Sequence, residues 1–330
     1  MALKKRVVVV GLGSIGRRHT RLLLERDDVT VEVIEPRPEA LASVRKELGD
    51  LPSHRSFEAM LETTPDVVWI ATPTPLHAAQ SIAALNAGAH VFCEKPMTDS
   101  LAEAIRVKEV ADRSTKKFDV GFYLHFWPVM VALKDLISRG VLGQVLHAHA
   151  RVGTYITLVN SASRYQAHQN GSLFWDYSHQ PDLFYWLLGK TPKVVQVSAF
   201  QGGSLDLSSN PNVAAVTCEY ESPLISTIHL NYVQMPERDH YEIFGDEAWA
   251  FIDWDEAIMK IGTRKNQNVE TKEYPVVRDN MFRAEHQAFF DTVNGTRSPE
   301  TSQADGLVST AICEAAIESW KTRQRVVLKI

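Results

Sequence analysis

The segment Arg6-Val-Val-Val-Val-Gly11-Leu-Gly13-Ser-Ile-Gly16 joins an unbroken apolar run to three closely spaced glycines. Continuous β-branched residues predict a strand buried on both faces, as in a parallel sheet. The glycines behind it each have a physical task. Gly11 permits a tight turn, Gly13 lets a pyrophosphate approach the backbone, and Gly16 lets the next helix pack closely on the strand. The phosphates of a dinucleotide would then lie on the positive N-terminus of that helix, over Ser14 and Ile15. Glu35 closes the next apolar run, where a carboxylate accepts from the adenosine ribose hydroxyls and repels a 2′-phosphate. This favours NAD, with NADP the lesser alternative. Arg37 is a candidate partner for a 2′-phosphate, although a solvated loop charge is the simpler reading.

Working outward, apolar strands are predicted at Arg6–Val10, Val29–Glu35, Asp66–Thr72, His90–Glu94 and Phe118–Phe122, with helical patterns at 15–26, 38–48, 56–63, 76–87 and 100–113. Ser100-Leu-Ala-Glu103 reads as a capping box, and Gly88 as a left-handed helix stop. This alternation predicts an α/β Rossmann domain, a doubly wound parallel sheet, over residues 1–122. The rhythm then changes. A helix near 128–139 leads to a strand at Val145–Tyr155, a polar loop at Asn160–Ser172 and an aromatic helix ending at Leu188-Gly189. Strands follow at 194–200, 213–220, 226–233, 240–244, 248–253 and 257–261, then helices at 281–294 and 302–323 and a strand at Val326–Ile330. Residues 123–330 are therefore expected to form an α+β domain with a large, mostly antiparallel open sheet, one face covered by helices.

The 330 residues carry 35 Lys+Arg against 40 Asp+Glu, a net charge of −5, which argues against a nucleic-acid partner. No apolar run is long enough to span a bilayer. The basic start is followed by too short an apolar run for a signal peptide. Cys93, Cys218 and Cys313 are odd in number and widely separated, which suits a reducing cytoplasmic compartment.

Two further stretches carry weight. Ala71-Thr-Pro-Thr-Pro-Leu-His77 and Cys93-Glu94-Lys95-Pro96 each end a strand. With the glycine turn, with Asp176-Tyr-Ser-His179-Gln-Pro-Asp182 and with Glu242-Ile-Phe-Gly245, they resemble the Gfo/Idh/MocA family, the glucose–fructose oxidoreductase and inositol dehydrogenase group. The resemblance runs over nearly the whole chain. It implies an NAD-dependent dehydrogenase acting on CH–OH groups of a sugar, polyol or sugar derivative, with Ala71, Thr72, Pro73, His77, Glu94 and Lys95 beside the cofactor. The chain departs from the family in writing Asn170-Gly-Ser before the aspartate motif, in spacing Asp176 and His179 by three, and in having Leu124-His125-Phe126 after the last Rossmann strand.

Chemically, oxidation of a carbinol requires removal of its hydroxyl proton, and a positioned base contributes roughly 10²–10⁴-fold. Imidazole, with an ordinary pKa near 6.5, suits that task at His179. Lys95 lies at the carboxyl end of a strand, where ligands bind in such sheets, and could polarise the carbinol oxygen or relay its proton. Asp176, read as one turn from His179 on a shared helix face, would orient it or bind a substrate hydroxyl. Asp182 is equally suited to a structural role. Tyr123, Tyr155, Arg164 and Tyr165 are candidate substrate contacts. His147 and His149 share a strand face but lack a third ligand at suitable spacing, so no metal is expected. A redox-neutral glycoside-cleaving enzyme and a non-catalytic NAD-binding regulator are the competing classes. The open sheet face and the family resemblance both suggest a homodimer or homotetramer through that sheet.

Overall fold

The computed structural model describes residues 4–159, 167 and 169–330. The chain divides into two compact units. One runs to Tyr123 and includes Arg278–Thr310. The other comprises Leu124–Val277 and Ala311–Ile330.

The first unit alternates β1 (Lys5–Val10), α1 (Ser14–Leu24), β2 (Val29–Ile34), α2 (Pro38–Leu48), α3 (Phe57–Leu61), β3 (Val67–Ile70), α4 (His77–Asn86), β4 (His90–Cys93), α5 (Leu101–Arg113) and β5 (Phe118–Val120). The strands form one parallel sheet in the order β2-β1-β3-β4-β5. Val7–Val10 and Val67–Ile70 are all buried, because both sheet faces are covered. Ser100 caps α5 by accepting from the Glu103 N–H, and Gly88 has the positive φ, +83°, expected after α4. The strand order reverses between β1 and β3, and such a switch point opens a crevice at the carboxyl ends of these strands.

The second unit begins with α6 (Pro128–Ser138), β6 (Val145–Gly153), α7 (Ile156–Val159), α8 (Ser172–Asp176) and α9 (His179–Leu188). It continues with β7 (Val194–Phe200), β8 (Val213–Glu219), β9 (Ile225–Asn231), β10 (His240–Gly245), β11 (Ala248–Asp253), β12 (Ile258–Thr263) and β13 (Val269–Glu273). The chain then passes through α10 (Arg278–Val293), which belongs to the first unit, and α11 (Gln303–Thr322), which runs from the first unit into the second at 310/311, and ends with β14 (Val326–Val327) in the second. The second unit's sheet has nine strands in the order β13-β12-β11-β10-β6-β9-β8-β7-β14, antiparallel except for β6 beside β9. Ala148, Ala150, Ile228, Leu230, Tyr241 and Ile243 alternate into the core, while His147, His149, His229, His240 and Glu242 alternate onto the other face.

Three differences from the sequence reading have plain causes. The aromatic helix is broken at Tyr177 (φ −92°, ψ 30°), so Asp176 ends α8 and His179 begins α9 rather than sharing one helix face. β13 was not anticipated, since its five residues are all exposed and show no apolar alternation; edge pairing to β12 makes it a strand. Finally, α10 returns to the first unit, although a single division at 122/123 assigned it to the second. Phe289 and Phe290, both fully buried, join Trp69 and Phe92 in a ring cluster beneath the parallel sheet. Replacing Phe289 with Ala leaves a cavity there, and we expect a loss of about 3–5 kcal/mol of stability, read by denaturant unfolding.

Candidate active site

At the carboxyl edge of the first sheet the glycine turn meets the segment after β3. Gly11 has φ +90°, and a Cβ on it would lie 2.7 Å from the Ala71 carbonyl oxygen. A Cβ on Gly16 would lie 1.9 Å from the Gly11 oxygen, so both positions are closed to any side chain. At Gly13 no protein atom lies within 4 Å of a built Cβ. Its lack of a side chain leaves room for something other than the protein. No side chain caps α1, and its first turn carries no acidic residue. The first N–H groups of a helix have no intrahelical acceptor and favour an anion. Ser14, exposed, and Ile15, half-buried, stand on that first turn.

Glu35 follows β2 with its side chain almost wholly buried. Its Oε2 accepts from the Leu12 N–H at 2.9 Å, locking the glycine turn to the end of β2. Arg37 is the solvated loop charge that its position suggests, with 59% of its side chain exposed, and it is also paired. It donates to Glu35 through Nε at 2.8 Å and Nη2 at 3.0 Å, in a two-pronged ion pair. Burial pushes the Glu35 carboxyl up, but the bonds from Arg37 and Leu12 prevail and hold it below the usual carboxylate range.

Beside it, the ladder steps on through Glu94 N–H to Ile70 O at 2.9 Å, which places Glu94-Lys95-Pro96 next to Ala71-Thr72-Pro73. Thr72 donates its hydroxyl to Gln80 at 2.7 Å. Glu94 turns its carboxylate inward, where Oε2 accepts from the Lys95 N–H at 3.1 Å. Its Oε1 faces His19 Nε2 at 2.7 Å, and His19 Nδ1 faces His286 Nε2 at 2.8 Å. His77 lies beneath the turns, 1% exposed, with both ring nitrogens on backbone carbonyls.

His19, Glu285 and His286 were not singled out from the sequence. His19 stands three residues after Gly16 on the buried face of α1, which is a usable signal. His286 is 267 residues away from it, and no local pattern points to that pairing. Glu285 is buried with no hydrogen-bond partner for either carboxyl oxygen among the described residues. Burial, reinforced by Glu94 and Asp119, pushes its pKa well above the usual value, which favours the protonated form. Burial likewise holds His286 well below its ordinary value, and so neutral.

In the second unit, Tyr232 donates its hydroxyl to Asp176 Oδ2 at 3.0 Å. His179 is buried at the start of α9. Asp182, fully buried, has a structural partner in His125 at 2.7 Å. The Tyr155 hydroxyl accepts from the Leu207 N–H at 3.1 Å. Tyr123, in the first unit, stacks on Phe282 with centroids 4.7 Å apart. Arg164 and Tyr165 lie outside the described residues. His147 and His149 both face the Thr227 hydroxyl, at 3.1 and 2.8 Å. Among the described residues no group of three His, Cys, Asp or Glu is arranged to hold a metal, and no helix is long and apolar enough to cross a membrane.

Comparison with known proteins agrees with this geometry. Residues 5–122 match the model of an oxidoreductase family, described as an NAD-binding Rossmann fold, and residues 134–328 match the C-terminal α/β domain of the same family. An inositol 2-dehydrogenase of Salmonella typhimurium is 25% identical over 98% of this chain and 96% of its own. An oxidoreductase from Agrobacterium radiobacter, solved with NAD+, L-tartaric acid and magnesium, superposes with a TM-score of 0.88 at 17% identity, covering 98% of each chain. A scyllo-inositol dehydrogenase from Lactobacillus casei, solved with NAD(H) and scyllo-inositol, gives 0.84 at 21% identity over 98% of this chain and 99% of that one.

The residues present fit a dinucleotide, and the glycines separate its binding from folding. Gly13→Ala is expected to keep the wild-type melting transition while weakening NAD binding by about tenfold or more, as titrated by calorimetry. Gly16→Ala, by contrast, should destabilise the fold itself.

Proposed function

The chain belongs to this oxidoreductase family of the Gfo/Idh/MocA type. On that premise we propose that it transfers hydride between NAD and a secondary hydroxyl of a sugar, polyol or sugar derivative. The observation that carries the reading is the Glu94-Lys95-Pro96 turn, held beside the Ala71 segment that contacts the glycine turn at the carboxyl edge of the parallel sheet. The cofactor accepts or returns the hydride when bound. The chain's own residues hold it and manage the hydroxyl proton.

In this reading the amides at Gly13, Ser14 and Ile15 bind the pyrophosphate, and Glu35 accepts from the adenosine ribose. Glu35 already accepts from the Leu12 N–H, the Arg37 N–H and both prongs of the Arg37 guanidinium, so Arg37 yields a prong to the ribose, and the carboxylate itself favours NAD over NADP. Lys95 polarises the carbinol oxygen, His179 accepts its proton, and Asp176, steadied by Tyr232, orients His179 or a substrate hydroxyl. Tyr123, Tyr155, Arg164 and Tyr165 remain candidate contacts to the substrate. The inositol dehydrogenases among the relatives support a cyclic polyol as the first substrate to try. Three buried cysteines, none of them in a disulfide, support a reducing, cytoplasmic location.

Lys95→Ala and His179→Ala should each lower kcat by about 10²–10⁴-fold with little change in NAD affinity, measured on a panel including myo-inositol and scyllo-inositol. Near wild-type turnover in either variant removes that residue from the mechanism.

A second copy of the chain is the proposed occupant of the uncovered sheet face in the second unit. Phe251 and Trp249 of β11 and Phe244 of β10 lie on that face among the histidines. Light scattering should report a dimer or larger, and Phe251→Glu should shift it toward the monomer. A monomeric wild type overturns this part of the reading.

A further inference from the structure

His77 begins α4, at the end of the Ala71–His77 segment, and its ring reaches back between two turns. Nδ1 lies 2.9 Å from the Pro96 carbonyl oxygen, and Nε2 lies 2.8 Å from the Thr72 carbonyl oxygen. A carbonyl oxygen only accepts. Each ring nitrogen must therefore carry a proton to make its bond, and a neutral imidazole has only one to give. In the neutral form a bare nitrogen lone pair would face a carbonyl lone pair at hydrogen-bond distance in a site 1% exposed to solvent.

We propose that His77 is a permanently charged imidazolium at neutral pH and acts as a positioning residue. It ties the turn after β3 to the Glu94-Lys95-Pro96 turn after β4 and so sets the carboxyl edge on which the cofactor and Lys95 depend. This rests on the reading that these turns serve the NAD site. It gives His77 a role different from direct cofactor contact, because both its nitrogens are already committed.

The surroundings are consistent with a buried cation. Burial alone would expel the charge, but Cys93 on β4 and the two carbonyls outweigh it and raise the pKa to about 9. The Cys93 Sγ itself donates to the Glu94 and Met97 carbonyls, at 3.4 and 3.8 Å, so it faces the ring as a thiol rather than a counter-ion, and the two carbonyls hold the cation. Charge-assisted hydrogen bonds of this kind are roughly twice as strong as neutral ones. The pH dependence follows in sign. Because the folded-state value is raised above the ordinary 6.5, the contribution is complete below about pH 6.5 and is lost as pH rises through about 9.

The test is proton-detected nitrogen NMR on protein labelled selectively at histidine. The expected result at pH 7 is two ring N–H signals for His77, assigned by their absence in His77→Gln, and the loss of one of the two ring protons as pH rises through about 9. Wild-type NAD affinity should be level from pH 6 to 8 and fall through the same transition. His77→Gln, which can donate from one end only, should bind NAD about tenfold more weakly at pH 7 and lack that inflection. A single ring proton at pH 7 overturns the proposal outright, whatever the substrate is. Two ring protons with NAD affinity unchanged in His77→Gln overturn the positioning role. Absence of turnover on the polyol panel bears on the substrate reading alone.

Discussion

Gly11 and Gly16 approach backbone so closely that no side chain fits at either. The Ala71 carbonyl stands where a Gly11 Cβ would be, and the Gly11 carbonyl stands where a Gly16 Cβ would be. This stack of main chain on main chain lets α1 begin directly at the end of β1 and points its free N–H groups over the strand ends. The other features of the edge take their places from it. Glu35 can reach the Leu12 N–H only because the turn is this tight, and the Ala71 segment is fixed by lying against the turn. The Lys95 turn is fixed in its turn by the ladder from Ile70 to Glu94 and by His77 below. A methyl group added at Gly16 would propagate through each of these contacts, since close-packed interiors move as units rather than yielding locally.

Much of this edge was legible in the sequence, and the legible parts share a cause. Val7–Val10 with three glycines, and Glu-Lys-Pro after a buried strand, are local patterns, in which the residues that cooperate are near neighbours in the chain. The illegible parts are those where cooperation is distant or side-chain geometry decides. Arg37 reads as a loop charge, and its pairing with Glu35 shows only when the turn folds it back. His286 meets His19 across most of the chain. The helix α10 presents an amphipathic pattern that says it must be buried, but not in which unit. The break at Tyr177 depends on one backbone angle that no periodicity records, so Asp176 and His179 were read onto one helix.

The second unit shows the same division. The period-two alternation of β6, β9 and β10 was readable, and it separates Ala148, Ala150 and Ile228 from His147, His149 and His229. Their neighbours across strands were not readable, because β6 pairs in parallel with β9, a strand more than 70 residues on. That one parallel pair sets His229 of β9 on the same face as His147 and His149 of β6.

The electrostatics of the carboxyl edge explain how a chain of net charge −5 can present a site for a pyrophosphate. Two acidic residues at this unit's edge are each met by partners, and a third, in the core beneath it, has no hydrogen-bond partner among the described residues. Glu35 is paired with Arg37 and the Leu12 N–H, Glu94 is bonded to His19 and the Lys95 N–H, and burial raises the Glu285 pKa and so favours its neutral form. What remains pointed outward is the set of amide dipoles at the start of α1, with the His77 imidazolium behind the neighbouring turns. Fields at such a site are set by fixed dipoles and buried charges within a few ångströms, where the protein's low polarisability strengthens them, and distant surface carboxylates are screened over about 8–10 Å at physiological salt. The anion preference of this edge is therefore a local property of backbone and buried partners, independent of the balance of charge over the whole chain.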